Sequence, residues 1–311
     1  MSESSASLKR KIGSATDLLA VVRTMKAMTA ANIHQYESAV AALDDYYNTV
    51  QLGLMACFRQ TEFSSSLDKE FLASKNEPRK LGILVFGSDQ GLVGQFNESL
   101  AEFVLADLAE EQGDKIIWVA GERMQSHFEQ SDLTLESSFA LPKTIKSITS
   151  LVGEILLTME ASRAQGRINE VVLFHNQLEH TPAQSGSIYT HVKQDLLPLD
   201  AQWQRNLMDI AWPSSNLPEV ANATTQENKG ENFHKTLLAL IHEYLFVSLY
   251  RACAESLASE NASRLAAMQR AEKNIDDLLL KMSNNFHILR QNGIDAELFD
   301  VISGFNALDH G

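Results

Sequence analysis

Three glycines, Gly87, Gly91 and Gly94, stand between a short apolar run, Leu81–Phe86, and a helical pattern that continues through Leu108. A glycine-rich turn from strand into helix can aim backbone N–H groups at a phosphate. Chemistry of that kind would make Ser88–Gly94 a nucleotide cradle and the chain an enzyme. The spacing argues against it. The segment is neither Gly-x-x-x-x-Gly-Lys-Ser/Thr nor Gly-x-Gly-x-x-Gly, and it lacks the lysine and the magnesium-binding hydroxyl at the required offset. The glycines are expected to serve a tight turn and close helix–sheet packing. The histidines His175, His180, His191 and His242 are scattered, with no His-x-x-x-His pair on a helix to grip a metal. Asp44 and Asp45, like Asp276 and Asp277, are neighbours in helical patterns. Adjacent helical side chains point about 100° apart, so these carboxylates read as solvated faces rather than acid/base pairs. No Ser-His-Asp or Cys-His arrangement emerges. The chain is expected to hold no catalytic, cofactor-binding or metal site of its own.

The elements that would position any site are unusual in their length. Glu231–Leu308 contains no proline, and Leu265, Met268, Ala271, Ile275, Leu278, Met282, Phe286 and Leu289 recur in steps of three and four. Such a stripe is narrow and long, as in a coiled-coil seam. Ser7–Phe58 is a second proline-free stretch. Ile33, Tyr36, Val40, Leu43, Tyr47, Val50, Leu54 and Cys57 alternate steps of three and four, and Val22 and Met25 extend the stripe. A seam at each end of one chain predicts that the two ends pair as an antiparallel coiled coil. The alternative is a helix bundle in which each end packs on its own core.

The middle of the chain reads differently. After a polar, Ser-rich connection from Thr61 to Arg79, apolar runs at Leu81–Phe86, Lys115–Ala120 and Glu170–His175 predict buried strands, and Gly186–Val192 alternates as if to pair beside them. Helical patterns at Glu122–Glu129 and Lys143–Ala164 separate them. The alternation predicts a small open α/β sheet with helices on its faces. Leu197–Lys229, with Pro198, Pro213 and Pro218, is read as a loop. The expected division is residues 1–60, an N-terminal coiled-coil helix; 61–230, an α/β domain with loops; and 231–311, a C-terminal coiled-coil helix and tail.

The 311 residues carry a formal net charge of −14, which disfavours nucleic acid as a partner. The sequence shows no run of about 18 apolar residues, and Met1–Ser7 lacks the apolar core of a secretory signal. Cys57 and Cys253 both fall in helical patterns and are expected as buried thiols.

Several motifs together carry a resemblance. Ser256, Ala258, Ser259, Glu260, Arg264, Ala267 and Met268 fit the Ser-x-Ala-Ser-Glu-x-x-x-Arg-Met-x-Ala-Met signature of the gamma subunits of F-type ATP synthases, with Leu265 at the first methionine. Arg290-Gln291-Asn292-Gly293-Ile294-Asp295-Ala296-Glu297-Leu298 resembles that family's Arg-Gln-x-x-Ile-Thr-x-Glu-Leu, and Val301-Ile302-Ser303-Gly304 its Ile-Val-Ser-Gly ending. Ser88-Asp89-Gln90-Gly91-Leu92-Val93-Gly94 is similar to Ser-Asp-Arg-Gly-Leu-Cys-Gly. Lys11-Ile12 and Met25-Lys26-Ala27-Met28 match its Arg-Ile and Met-Lys-Met segments. The motifs lie at both ends and in the middle, in the family's order.

The resemblance implies a central rotor shaft without catalytic residues. Its terminal helices would form a coiled coil, and its middle a Rossmann-like α/β domain. The tip would sit in a ring of three alpha and three beta subunits. The α/β foot would meet the epsilon subunit and the c-subunit ring, at the cytoplasmic face of a bacterial inner membrane. Met25, Lys26, Arg290 and Gln291 match positions that contact the ring. Ser88, Asp89, Gly91 and Gly94 match the foot turn, and Ser259, Glu260, Arg264 and Met268 the shaft motif. The chain departs from the family where a basic run such as Ser-Lys-Met-Arg-Lys becomes Ala31-Asn32-Ile33-His34-Gln35, and where Gln90 and Val93 replace Arg and Cys. The redox-regulatory cysteine insertion of chloroplast relatives is absent. The alternative function is a stand-alone coiled-coil adaptor with an α/β head.

Overall fold

A computed structural model describes residues 5–59, 78–129, 131, 133–179, 188–199, 201–213 and 229–308. The Ser-rich connection over 61–77, the start of the alternating run at 186–187, His180 and the segment 214–228 lie outside the described residues. The elements follow in the order α1 (Ser5–Arg59), β1 (Lys80–Phe86), α2 (Phe96–Leu108), β2 (Asp114–Ala120), α3 (Glu122–Gln125), β3 (Thr134–Phe139), α4 (Ile148–Ala164), β4 (Glu170–Leu178), β5 (Tyr189–Leu197), α5 (Ala201–Met208) and α6 (Lys229–Leu308). The chain divides into two compact units. One joins Met1–Ala30 with Arg264–Gly311; the other is Ala31–Ser263.

Within Ala31–Ser263 the strands form one sheet in the order β3-β2-β1-β4-β5. β1 pairs in parallel with β2 and β4, and β2 in parallel with β3, while β5 runs antiparallel to β4. Both faces are covered, which is why β1, β2 and β4 read as unbroken apolar runs. Ile83, Val85, Ile117, Val119 and Phe174 pack with α2 through Leu100 and Val104. Their alternate neighbours, Leu84, Phe86, Trp118 and Leu173, pack toward α4 and α6 through Ile155 and Leu257.

The same unit holds the facing halves of α1 and α6. Asn32 meets Asn261, Asp44 meets Arg251, and Tyr46 meets Glu243. Numbers that rise on one helix and fall on the other mark an antiparallel pair. Every position of the α1 seam from Ile33 to Cys57 is buried or half-buried. In the other unit Leu19 and Val22 pack on Met268 and Ile275, again antiparallel.

Several expectations are corrected. Leu278 is 49% exposed, and the stripe on α6 passes through Leu279, which packs against the Leu19–Ile275 cluster. An α-helix has 3.6 residues per turn, so a seam drifts and takes an extra step of four, here from Ile275 to Leu279. β3 was not expected because Thr-Leu-Glu-Ser-Ser-Phe is a half-polar edge strand without an apolar run. Within the expected loop Leu197–Lys229 stands the short helix α5, seated by Leu207 and by Trp203, whose indole N–H donates to the Tyr244 hydroxyl at 2.8 Å. Glu122–Glu129 is helical only to Gln125, and Lys143–Ala164 opens with one 3-10 turn at Ile145–Ser147 before α4. The Leu197–Pro198 peptide is cis.

α6 also contains an 18-residue window of mean hydropathy 1.3, long and apolar enough to cross a membrane by composition alone. Of that window 56% is buried inside the protein. A partly buried core helix of a folded protein passes the same test.

Candidate partner-binding surface

The shaft motif begins as a packing device. Ser256, Ser259 and Ser263 fall on one face of α6, three and four residues apart. The Ser256 hydroxyl donates to the carbonyl of Phe86, the last residue of β1, at 3.2 Å. Ser259 reaches the Asn176 carbonyl on β4 at 3.1 Å and its own helix at Glu255 at 2.8 Å. Ser263 donates to the Val93 carbonyl at 2.5 Å. Small hydroxyl side chains let the helix approach β1, β4 and the turn after β1 closely and give their carbonyls hydrogen-bond donors. Glu260 and Arg264 are buried too, at 5% and 7% exposure.

The turn after β1 is held from within. The Asp89 carboxylate accepts hydrogen bonds from the backbone N–H groups of Glu122 and Leu141, both at 2.9 Å. Asn97 donates to the Ser88 hydroxyl, which donates to the Gln90 carbonyl. A Cβ on Gly87 would lie 2.4 Å from the Met124 Cβ, so close packing requires glycine there. Gly94 takes a φ of +64°. Gly91 has neither constraint, with only Arg123 near it at 3.8 Å. An acidic side chain is therefore built into the turn, where its charge would repel a phosphate.

One cluster was not foreseen. His175 Nε2 lies 2.9 Å from Glu255, which also accepts from Arg251 at 2.8 Å, and Arg251 reaches Asp44 at 3.2 Å. Burial works to raise the Glu255 carboxyl, but the hydrogen bonds from His175 and Arg251, with their charges, outweigh it and hold it below its ordinary value. The chain links β4, α6 and α1. The available signal was the four-residue spacing of Arg251 and Glu255 on a helix. The two cysteines are buried as expected, and burial pushes the Cys57 thiol up to about 11.

In the unit formed by the chain ends, Lys26 is tied down. Its ammonium lies 2.6 Å from Glu272, which also pairs with Arg23 at 2.9 Å, while Arg23 reaches Asp276. The hydrogen bond from Lys26, then that from Arg23, lowers the Glu272 carboxyl. Met25 is half-buried beside the Leu19–Ile275 cluster. Partners advance in step along the two helices, so α6 continues past the start of α1. Residues 290–299 are all exposed, including Arg290 and Gln291. Ile294, Leu298, Phe299 and Val301 are 54–69% exposed. A run of large apolar side chains on one uncovered helix end is a surface built to be covered. Among the described residues no group of three or more His, Cys, Asp or Glu is arranged to hold a metal.

The sequence profile described as ATP synthase matches residues 4–308. The chain belongs to the ATP synthase family. Within it, the chain is 26% identical to the ATP synthase gamma chain of Sulfurovum sp. (strain NBC37-1), over 97% of this chain and 98% of that one. It is 24% identical to the gamma chain of Glaesserella parasuis serovar 5 (strain SH0165), with the same coverage. In fold it is similar to a chain of the Euglena gracilis mitochondrial ATP synthase (OSCP/F1/c-ring, rotational state 3), with TM-score 0.62 and 16% identity, over 97% of this chain and 93% of that one. A chain of the Tetrahymena thermophila central stalk and c-ring gives TM-score 0.53 and 21% identity, covering 81% and 99%. The family places this chain as a gamma rotor subunit of an F-type ATP synthase, part of a membrane-associated complex that makes ATP.

Proposed function

We propose that this chain is the turning shaft of its complex and has no active site of its own. The exposed apolar end of α6, with Arg290 and Gln291, is the part that enters a ring of three alpha and three beta subunits. That uncovered end carries the reading, because nothing in the described chain covers it. The α/β unit serves as the foot, against an epsilon subunit and the c-subunit ring. In a bacterial cell this places the chain at the cytoplasmic face of the inner membrane. Residues 1–60 and 231–311 then act as shaft and 61–230 as foot.

An asymmetric shaft touches three chemically identical sites differently at any moment. Differential contact is what biases each site among its conformations. Arg290 brings a guanidinium fork suited to acidic loops. Lys26, by contrast, is engaged with Glu272, and with Ala31–Gln35 in place of a basic run the shaft offers little long-range attraction. Steric pushing by packed helices then carries more of the coupling than charge. Replacing Arg290 and Gln291 together by Ala in the assembled complex is expected to lower ion-driven ATP synthesis several-fold, about 1 kcal/mol of coupling. Both residues are exposed, so the circular dichroism of the chain should not change. Unchanged synthesis by the double variant would remove these residues from the contact.

A further inference from the structure

The α/β unit contains a cavity of about 650 Å³ that neither the shaft nor the foot reading uses. Its floor is made of Leu156 and Met159 on α4, Ile168 before β4, Val171 on β4, Leu197 at the end of β5 and Leu245 on α6, all buried. Its lip is different in kind. Glu160 and Arg163 from α4 face His242 from α6 across the opening. His242 Nε2 lies 3.4 Å from Glu160, and both side chains are more than half exposed, at 52% and 58%.

A space of this size falls within the range of small-molecule sites, which are typically apolar with a few polar groups that fix orientation. The space opens to solvent, so a ligand entering it displaces water that the apolar floor gives few hydrogen-bond partners. From these observations we infer that the cavity binds a single-chain amphiphile, with its hydrocarbon on the floor and an anionic head at the lip. Arg163 supplies the donors for that head, while His242 Nε2, 3.4 Å from Glu160, engages the carboxylate at the lip. Arg163 is already engaged within the chain, but a guanidinium has five N–H donors and can take a second acceptor. Carboxylate and phosphate heads share this chemistry, so a free fatty acid and a lysophospholipid are two sources of the same ligand.

The test is equilibrium dialysis of radiolabelled palmitate against the full chain, in the complex with which it is isolated and without detergent. One saturable palmitate per chain is expected. Ala239 and Ala164 lie at the mouth and are exposed on their helices, so tryptophan there blocks the cavity without entering a core. Ala239→Trp and Ala164→Trp are each expected to weaken binding about tenfold or more. Arg163→Gln should weaken palmitate binding and leave dodecanol binding unchanged. Lysophosphatidylglycerol that competes with palmitate identifies lipid as a usable source; failure to compete identifies free acid. Absence of saturable binding overturns the inference. So does binding that both tryptophan variants retain, or tighter binding of dodecyltrimethylammonium than of palmitate. Palmitate bound by the free chain but not by the complex also overturns it, because a partner subunit then covers the mouth.

Discussion

At Gly87 and Gly91 the same substitution should have opposite outcomes. Gly87→Ala drives a Cβ to 2.4 Å from Met124 and is expected to cost about 1–3 kcal/mol of stability through overpacking. Gly91→Ala meets nothing nearer than 3.8 Å and should stay within about 0.5 kcal/mol of the parent. Urea unfolding of the two variants checks both. Glu255 gives a pH prediction. Its carboxyl is held below 4.5 in the folded chain. As pH falls through that ordinary value the unfolded chain takes up the proton first, so stability falls with pH. The contribution is fully present above 4.5 and is lost as pH drops through the lower folded value. Glu255→Gln should flatten the melting temperature against pH below 4.5 relative to the parent. An equally steep fall in the variant would assign the acid sensitivity elsewhere. Glu272, less buried than Glu255, acts in the same direction and more weakly.

The two long helices and the three central strands were legible because their signals are periodic and long. Seams with steps of three and four, and apolar runs such as Leu81–Phe86, have few competing readings. What was missed is short or edge-bound. β3 has one face at an edge and little apolar pattern, and α5 is eight residues set among prolines. The phase of the α6 seam was read one residue early at Leu278, because a seam of constant heptads ignores the drift of a 3.6-residue helix. That correction is testable at the same scale. Ile275→Ala should cost about 2–5 kcal/mol, whereas Leu278→Ala should stay within about 0.5 kcal/mol. Equal losses, measured by urea unfolding, would restore the simple heptad. The shaft motif was legible as a string but not as a mechanism. That Ser256, Ser259 and Ser263 hydrogen-bond carbonyls of β1, β4 and the turn after β1 depends on contacts some 80 to 170 residues apart in sequence. The His175–Glu255 pair was hidden for the same reason.

The whole molecule combines a folded α/β unit with helix ends that leave apolar side chains uncovered. Taken alone, the chain would expose Ile294, Leu298, Phe299 and Val301 to water. Within a ring they would face protein. The unit formed by the chain ends carries ten Lys and Arg against nine Asp and Glu, so it offers little net positive charge to draw the shaft into acidic surroundings. Fit, more than charge, must then hold the shaft in place. The most direct measurement is a native mass spectrum of the complex recovered from membranes by a tag on this chain, with its ATPase activity. One copy of this chain with three copies each of two larger subunits, together with magnesium-dependent ATP hydrolysis, is the predicted result. Recovery of the chain alone, or with partners in another ratio and no hydrolysis, would contradict the rotor account.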